Sequence, residues 1–165
     1  MKNVHYTAAM SRSIEQISGD GAFLVVKSGD GINTMTIGWA TIGHIWAMPV
    51  MMVAVRPSRH TFAIIEKARD YAVSVPLPSM KKELAFCGTR SGRDCDKFKE
   101  CSLAQAAART IATPALNIPG IHFECTLVAR SPLDPSLINN DVRACYSAGD
   151  FHTLYFGRIE DCYEI

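Results

Sequence analysis

Apolar and polar residues alternate most regularly where Ile121, Phe123, Cys125, Leu127 and Ala129 interleave with His122, Glu124, Thr126, Val128 and Arg130. That period of two predicts a half-buried strand. Tyr71, Val73 and Val75 alternate with Ala72 and Ser74 in the same way. Val50 to Val55 is an unbroken apolar run, as expected of a strand buried on both faces. Ala22 to Lys27 reads as a strand followed by a turn at Ser28-Gly29-Asp30-Gly31. Further strands are predicted over Asn33 to Ala40, Val142 to Tyr146 and Phe151 to Ile159, the last two meeting at Ala148-Gly149-Asp150.

Helical spacing is confined to short stretches. Thr61 to Ala68 carries Phe62, Ile65 and Arg69 at turn spacing, and Met80 to Phe86 suggests another helix. Ser13 and Gln16 have the spacing of a capping box, opening a helix that stops near Gly19 or Gly21. Ser102 and Gln105 would cap one more. The sum is about six or seven strands with a few short helices and no regular β-α alternation. A mainly β fold follows, a closed or partly split antiparallel barrel with short helices rather than a doubly wound sheet.

The chain has 165 residues, 48% of them hydrophobic, enough for one domain over residues 1–165 with its own core. Its formal net charge of +1 leaves no broad electrostatic footprint for nucleic acid or an anionic membrane. Any anion site must therefore be local. No apolar run approaches the ~18 residues of a membrane span, and the N-terminus shows no hydrophobic signal region. A cytoplasmic location is the expectation. None of the six cysteines forms a CxxC pair or takes zinc-finger spacing. Free thiols are expected in a reducing compartment, with Cys125, Cys145 and Cys162 read as small buried hydrophobes.

Four segments have residues suited to chemistry. In a strand, Asn33, Met35, Ile37 and Trp39 share one face, while Thr34, Thr36, Gly38 and Ala40 form a small, partly hydroxylated one. A flat ligand could approach the backbone on the second face, though from spacing alone an ordinary strand with Trp39 in the core is the better reading. Arg56-Pro57-Ser58-Arg59-His60-Thr61 joins a buried strand to a helix, where forked guanidinium donors, hydroxyls and free N–H groups suit a phosphate. Cys87 to Phe98 combines Gly88 and Gly92 with Arg90, Arg93 and Lys97, but lacks the Gly-Lys-Ser/Thr ending of a nucleotide-binding loop. Gly149-Asp150-Phe151-His152 puts a histidine at a strand start.

In this order, Asn33 to Trp39, Val55 to Arg59, Cys87 to Asp94 and Gly149 to His152 resemble the flavin reductase-like family, and its flavoredoxin branch most of all. The resemblance runs from about Ala22 to Tyr163. It implies an FMN-binding split barrel, a homodimer, and electron transfer or NAD(P)H-dependent flavin reduction. Carried over by residue, Asn33, Thr34, Met35 and Thr36 would line the flavin edge and Trp39 would pack nearby. Arg56, Ser58, Arg59 and Thr61 would hold the phosphate. Cys87, Ser91, Gly92 and Lys97 would close over the cofactor, and His152 would lie beside it. Phe151 separates Asp150 from His152, whereas many relatives have the histidine directly after the aspartate. The flavin would supply the redox chemistry, with NAD(P)H or a redox partner protein as reductant and no obligatory protein acid or base. The alternative is a dimeric barrel serving as a cofactor-free binding module.

Overall fold

Runs of β-branched and aromatic residues pair into one large antiparallel sheet. The computed structural model describes residues 1–29 and 31–165; Asp30, in the predicted turn after Lys27, lies outside the described residues. The strands are β1 (Lys2–Asn3), β2 (Ala22–Ser28), β3 (Gly31–Ile37), β4 (Ala40–Ile45), β5 (Met48–Val55), β6 (Asp70–Pro76), β7 (Gln105–Ala106), β8 (Ala115–Leu116), β9 (Gly120–Pro132) and β10 (Thr153–Glu164). The helices are α1 (Tyr6–Gly19), α2 (His60–Ile65), α3 (Lys81–Thr89), α4 (Lys97–Glu100) and α5 (Asn140–Ala144), with a 3-10 turn at Pro135–Leu137.

The main sheet runs β3-β2-β6-β9-β10-β5-β4, with β1 added beside β10; β7 and β8 pair separately. Among the described residues the path ends at β3 on one side and β4 on the other, which leaves the barrel split. β9 and β10 form its spine, paired from Ile121 with Glu164 to Pro132 with Thr153. Register shifts at Phe156/Gly157 and Ile159/Asp161 bend this ladder, as bulges do. Gly157 is needed at the bend, because a Cβ there would lie 2.7 Å from the Cys125 Cβ and 2.5 Å from the Tyr71 hydroxyl.

Two apolar layers explain why several strands lack alternation. Leu24, Val26, Met35, Val53, Val73 and Phe123 meet inside the barrel. Phe23, Val25 and Ala72, on the other face, pack with Leu84, Cys87, Leu103 and Leu116 under α3. Each fully buried large side chain contributes about 1.5–3 kcal/mol through removal from water. β2 and β6 are thus covered on both sides, and so is the first half of β9.

That double coverage corrects the half-buried reading of β9. His122 and Glu124 are buried, and each is satisfied by hydrogen bonds. His122 sits between the Ser74 hydroxyl (3.0 Å) and the Ile118 carbonyl (3.0 Å). Glu124 accepts from the Arg109 and Thr110 amides and the Thr110 hydroxyl.

Other expectations also differ. Ser13 caps nothing; it is buried inside α1, which starts a full two turns earlier behind His5. Residues 142–146 form the end of α5 and its exit, because Asn139 accepts from the Val142 amide and caps a helical turn. Ser102 and Gln105 open no helix: Ser102 has φ 52°, and Gln105 begins β7. The helix precedes them and is capped by Asp96, which accepts from the Phe98 and Lys99 amides. Asn33 to Ala40 is interrupted after Ile37, and Ala40 starts β4. Cys145 is exposed, unlike Cys125 and Cys162. No helix among the described residues is long and apolar enough to cross a membrane.

Candidate functional site

The split side of the barrel brings three predicted segments together. A narrow recess of about 120 Å³ lies between β3, the turn into α2 and the loop from α3 to α4. Asn33, Met35, Ser58, Arg59, Thr61, Cys87, Ser91, Gly92 and Lys97 all line it. A wider recess of about 320 Å³ adjoins it through shared Met35 and Arg59. Thr36, Trp39, Arg56 and His152 line the wider one. Thr34 lines neither; it is fully buried, and its hydroxyl has no hydrogen-bond partner among the described residues.

Both faces of β3 take part: Asn33 and Met35 reach the narrow recess, while Thr36 and Gly38 border the wider one, with α3 packed on Thr36. Thr36 donates to the Leu84 carbonyl at 2.6 Å, and Gly88 packs on its side chain. Trp39 lies beyond the end of β3. It is 45% exposed and packs against His152, with ring centres 4.8 Å apart.

Each anion-binding candidate has a distinct setting. Arg59 ends the turn before α2 and donates to the Gly88 carbonyl at 3.1 Å, tying that turn to α3. Asn33 donates to the Thr61 hydroxyl at 2.8 Å, and both side chains are buried. Gly92 closes directly over Asn33; a Cβ there would overlap the Asn33 amide oxygen and come within 2.8 Å of His60. Ser58 is already engaged, since the Asp150 carboxylate accepts from its amide (3.1 Å) and its hydroxyl (2.6 Å). Arg56 lies over the Tyr146 ring at 5.3 Å and donates to the Cys145 carbonyl at 3.4 Å.

Lys97 is the buried cation of the site. Its ammonium donates to the Cys87 carbonyl at 2.7 Å. Burial pushes its pKa down, and Arg59 adds repulsion, against a raising influence from Cys87 and Cys95. The Cys87 thiol moves the other way, pushed up to about 12 by burial and by Cys101. His60 is lowered by burial, then by Arg93 and Lys97. His152 shares a 2.8 Å hydrogen bond with the Tyr146 hydroxyl; burial and then Arg56 push it down to about 4. It is therefore a neutral imidazole near pH 7.

Arg90, Arg93 and His60 line the narrow recess as well. They lie in the basic segments read from the sequence, where the family resemblance points to their neighbours Arg59, Ser91 and Gly92. Tyr146 and Asp150 line neither recess but contact their lining residues Arg56 and Ser58 from the excursion between β9 and β10. Nothing in their local spacing signals that contact, because it depends on how this excursion folds back over Arg56 and Ser58.

Residues 18–165 match the family model described as the flavin reductase like domain. The chain belongs to that family. An uncharacterized protein from Pyrococcus abyssi is 26% identical over 141 residues, spanning 83% of this chain and 69% of its own. An FMN-binding protein from Thermus thermophilus superposes with a TM-score of 0.67 at 24% identity, covering 87% of this chain and 69% of that one. The flavoredoxin of Desulfovibrio vulgaris (Miyazaki F) superposes with a TM-score of 0.69 at 19% identity, covering 88% and 69%. A Streptomyces globisporus NADH:FAD oxidoreductase gives 0.65 at 17% identity, covering 92% and 81%. These likenesses identify the split barrel of flavin reductase-like proteins as the fold.

Proposed function

We propose that the protein binds FMN, with the phosphate end in the narrow recess and the ring in the wider one, and passes electrons through it. One observation carries this reading. Arg59, Arg90, Arg93 and Lys97 surround the narrow recess, and among the described residues none lies within ion-pair distance of a carboxylate. In a chain of net charge +1, four cations without acidic partners around one cavity call for an anion.

The residues fit such a ligand. Lys97 is buried with three N–H donors and, among the described residues, a single protein acceptor, the Cys87 carbonyl. Gly92 lets the loop backbone approach closely. The small volume of the narrow recess favours a mononucleotide phosphate over a dinucleotide. Met35, Gly38, Trp39 and His152 border the wider recess, which has an open side. When bound, FMN supplies the redox chemistry, and the chain supplies position and electrostatics. Neutral His152, fixed by Tyr146, adds no charge there. A cofactor-free binding module would leave the clustered cations without a purpose.

The open side admits either a nicotinamide ring or a partner protein's redox centre. Oxidation of NADH or NADPH by the FMN-loaded protein would assign an NAD(P)H:flavin oxidoreductase. Absence of turnover together with rapid reduction by a ferredoxin would assign a flavoredoxin-type carrier. Two copies are proposed to associate through the outer edge of β4, where Ile45 and Trp46 are exposed. Fluorescence titration with FMN tests the site: the Arg56→Ala, Arg59→Ala double variant should bind at least tenfold more weakly, about 1.4 kcal/mol or more. Unchanged affinity would remove Arg59 from the phosphate recess and Arg56 from the ring recess beside it.

A further inference from the structure

The narrow recess is backed by a pair of thiols. Cys87 Sγ and Cys101 Sγ lie 4.0 Å apart, although the residues are fourteen positions apart in sequence. Cys87 sits in the last turns of α3 and faces the recess; Cys101 follows α4 directly. The loop that carries Ser91, Gly92 and Arg93 connects the two helices. A bond between the two sulfurs would therefore staple both ends of the loop that closes the recess. A disulfide needs its sulfurs at about 2.05 Å. Side-chain rotation and a small shift of α4 can supply the approach. α4 has only four residues and no long hydrogen-bonded ladder to resist it.

The surroundings give the two thiols different tasks. Cys87 is almost fully buried, with Leu84, Leu103 and Leu116 in its apolar cluster. Cys101 is half-buried at the edge of the same cluster. A reagent can reach Cys101 first, and Cys87 is in place to resolve what forms there. Cys95 is half-buried too, but its thiol is turned toward the Ser91 carbonyl at 3.5 Å. Cys145 is exposed and lies in α5's exit turn, on a different part of the chain.

We propose that Cys87 and Cys101 are a redox-sensitive dithiol, oxidised by diffusible low-molecular-weight disulfides to a reversible link that locks the recess loop. The Cys101 thiolate attacks one sulfur of the diffusible disulfide. A mixed disulfide forms, and one small thiol leaves with a proton. The Cys87 thiolate then attacks Cys101 Sγ, the Cys87–Cys101 bond forms, and the second small thiol leaves. The protein dithiol is oxidised by two electrons, and the diffusible disulfide is reduced to two thiols. Cytosolic disulfides of this kind are typically transient and sensory. The Lys97 anchor lies on the Cys87 main chain, so the link also pins the buried cation of the recess. Burial raises both thiols, so the reaction accelerates with pH.

The full-length protein is incubated with oxidised glutathione at mildly alkaline pH. Free thiols are then alkylated, and tryptic peptides are identified by mass spectrometry without reduction. The expected product is a Cys87–Cys101 cross-linked peptide, reversed by dithiothreitol, absent from Cys101→Ser and retained in Cys95→Ser. Limited tryptic cleavage at Arg90 and Arg93 should slow several-fold on oxidation and recover on reduction. This readout does not depend on what the recess binds, so its failure leaves the FMN reading intact. Glutathione adducts at Cys101 or Cys145 without the cross-link, or a link that uses Cys95, would overturn the proposal.

Discussion

At the residue scale, Asp150 and His152 make the most specific claims. Asp150 holds φ at 55°, a left-handed conformation that Asn tolerates as well as Asp. Its carboxylate occupies the Ser58 amide and hydroxyl, on the segment that also carries Arg56 and Arg59. A negative charge there opposes a bound phosphate. Asp150→Asn keeps the backbone and removes the charge, so FMN affinity should rise several-fold in a fluorescence titration; weaker binding would mean that Asp150 organises the site instead. His152 titrates near 4 in the folded chain against 6.5 when exposed. Between those values the unfolded chain binds more protons, so stability rises with pH and is lost on acidification through that window. The size is on the order of 3 kcal/mol. His122 is also lowered and adds in the same direction. The slope of urea-unfolding stability between about pH 4 and 6.5 should flatten in His152→Gln. An identical slope would assign the effect to other groups.

At the element scale, the long apolar patterns were legible. β2, β5, β6, β9 and the core of β10 follow from period-two and continuous apolar runs, since burial on one or two faces leaves its mark in local sequence. The short elements were not legible. α4 and α5 depend on Asp96 and Asn139 as caps, and neither stands three residues before a Glu or Gln, the spacing that singles out Ser13 and Ser102. β4 was hidden because its break from β3 at Gly38-Trp39 carries no strong turn signal. The turn from β4 to β5 places Trp46 and Ala47 at φ 54° and 55° without a glycine. Non-glycine residues there cost about 1–2 kcal/mol each. Trp46 is held against Phe156 (ring centres 5.5 Å apart) and is still 52% exposed. An exposed aromatic at the tip of an edge hairpin suits contact with a second copy. Sedimentation velocity should show a dimer for the native chain and a shift to monomer for Trp46→Glu; a native monomer would remove this interface.

At the scale of the whole molecule, the site exists because the barrel is split. β3 ends one side of the sheet, and the turn into α2 and the loop from α3 to α4 converge on it. The sequence showed the four segments and the basic character of two of them, residues 56–61 and 87–98. It did not show which face of β3 meets which recess, because that depends on α3, far along the chain, packing on Thr36. Nor did it show that the excursion after β9 returns to Ser58. Most of the predicted site residues nevertheless line the two adjoining recesses. The central claim is that this convergence holds FMN. It is tested most directly by the visible spectrum of the purified protein, loaded with flavin if colourless, followed by chromatography of what denaturation releases. Flavin absorption with equimolar FMN released is the predicted result. A protein that is colourless as isolated and takes up no FMN would contradict the account.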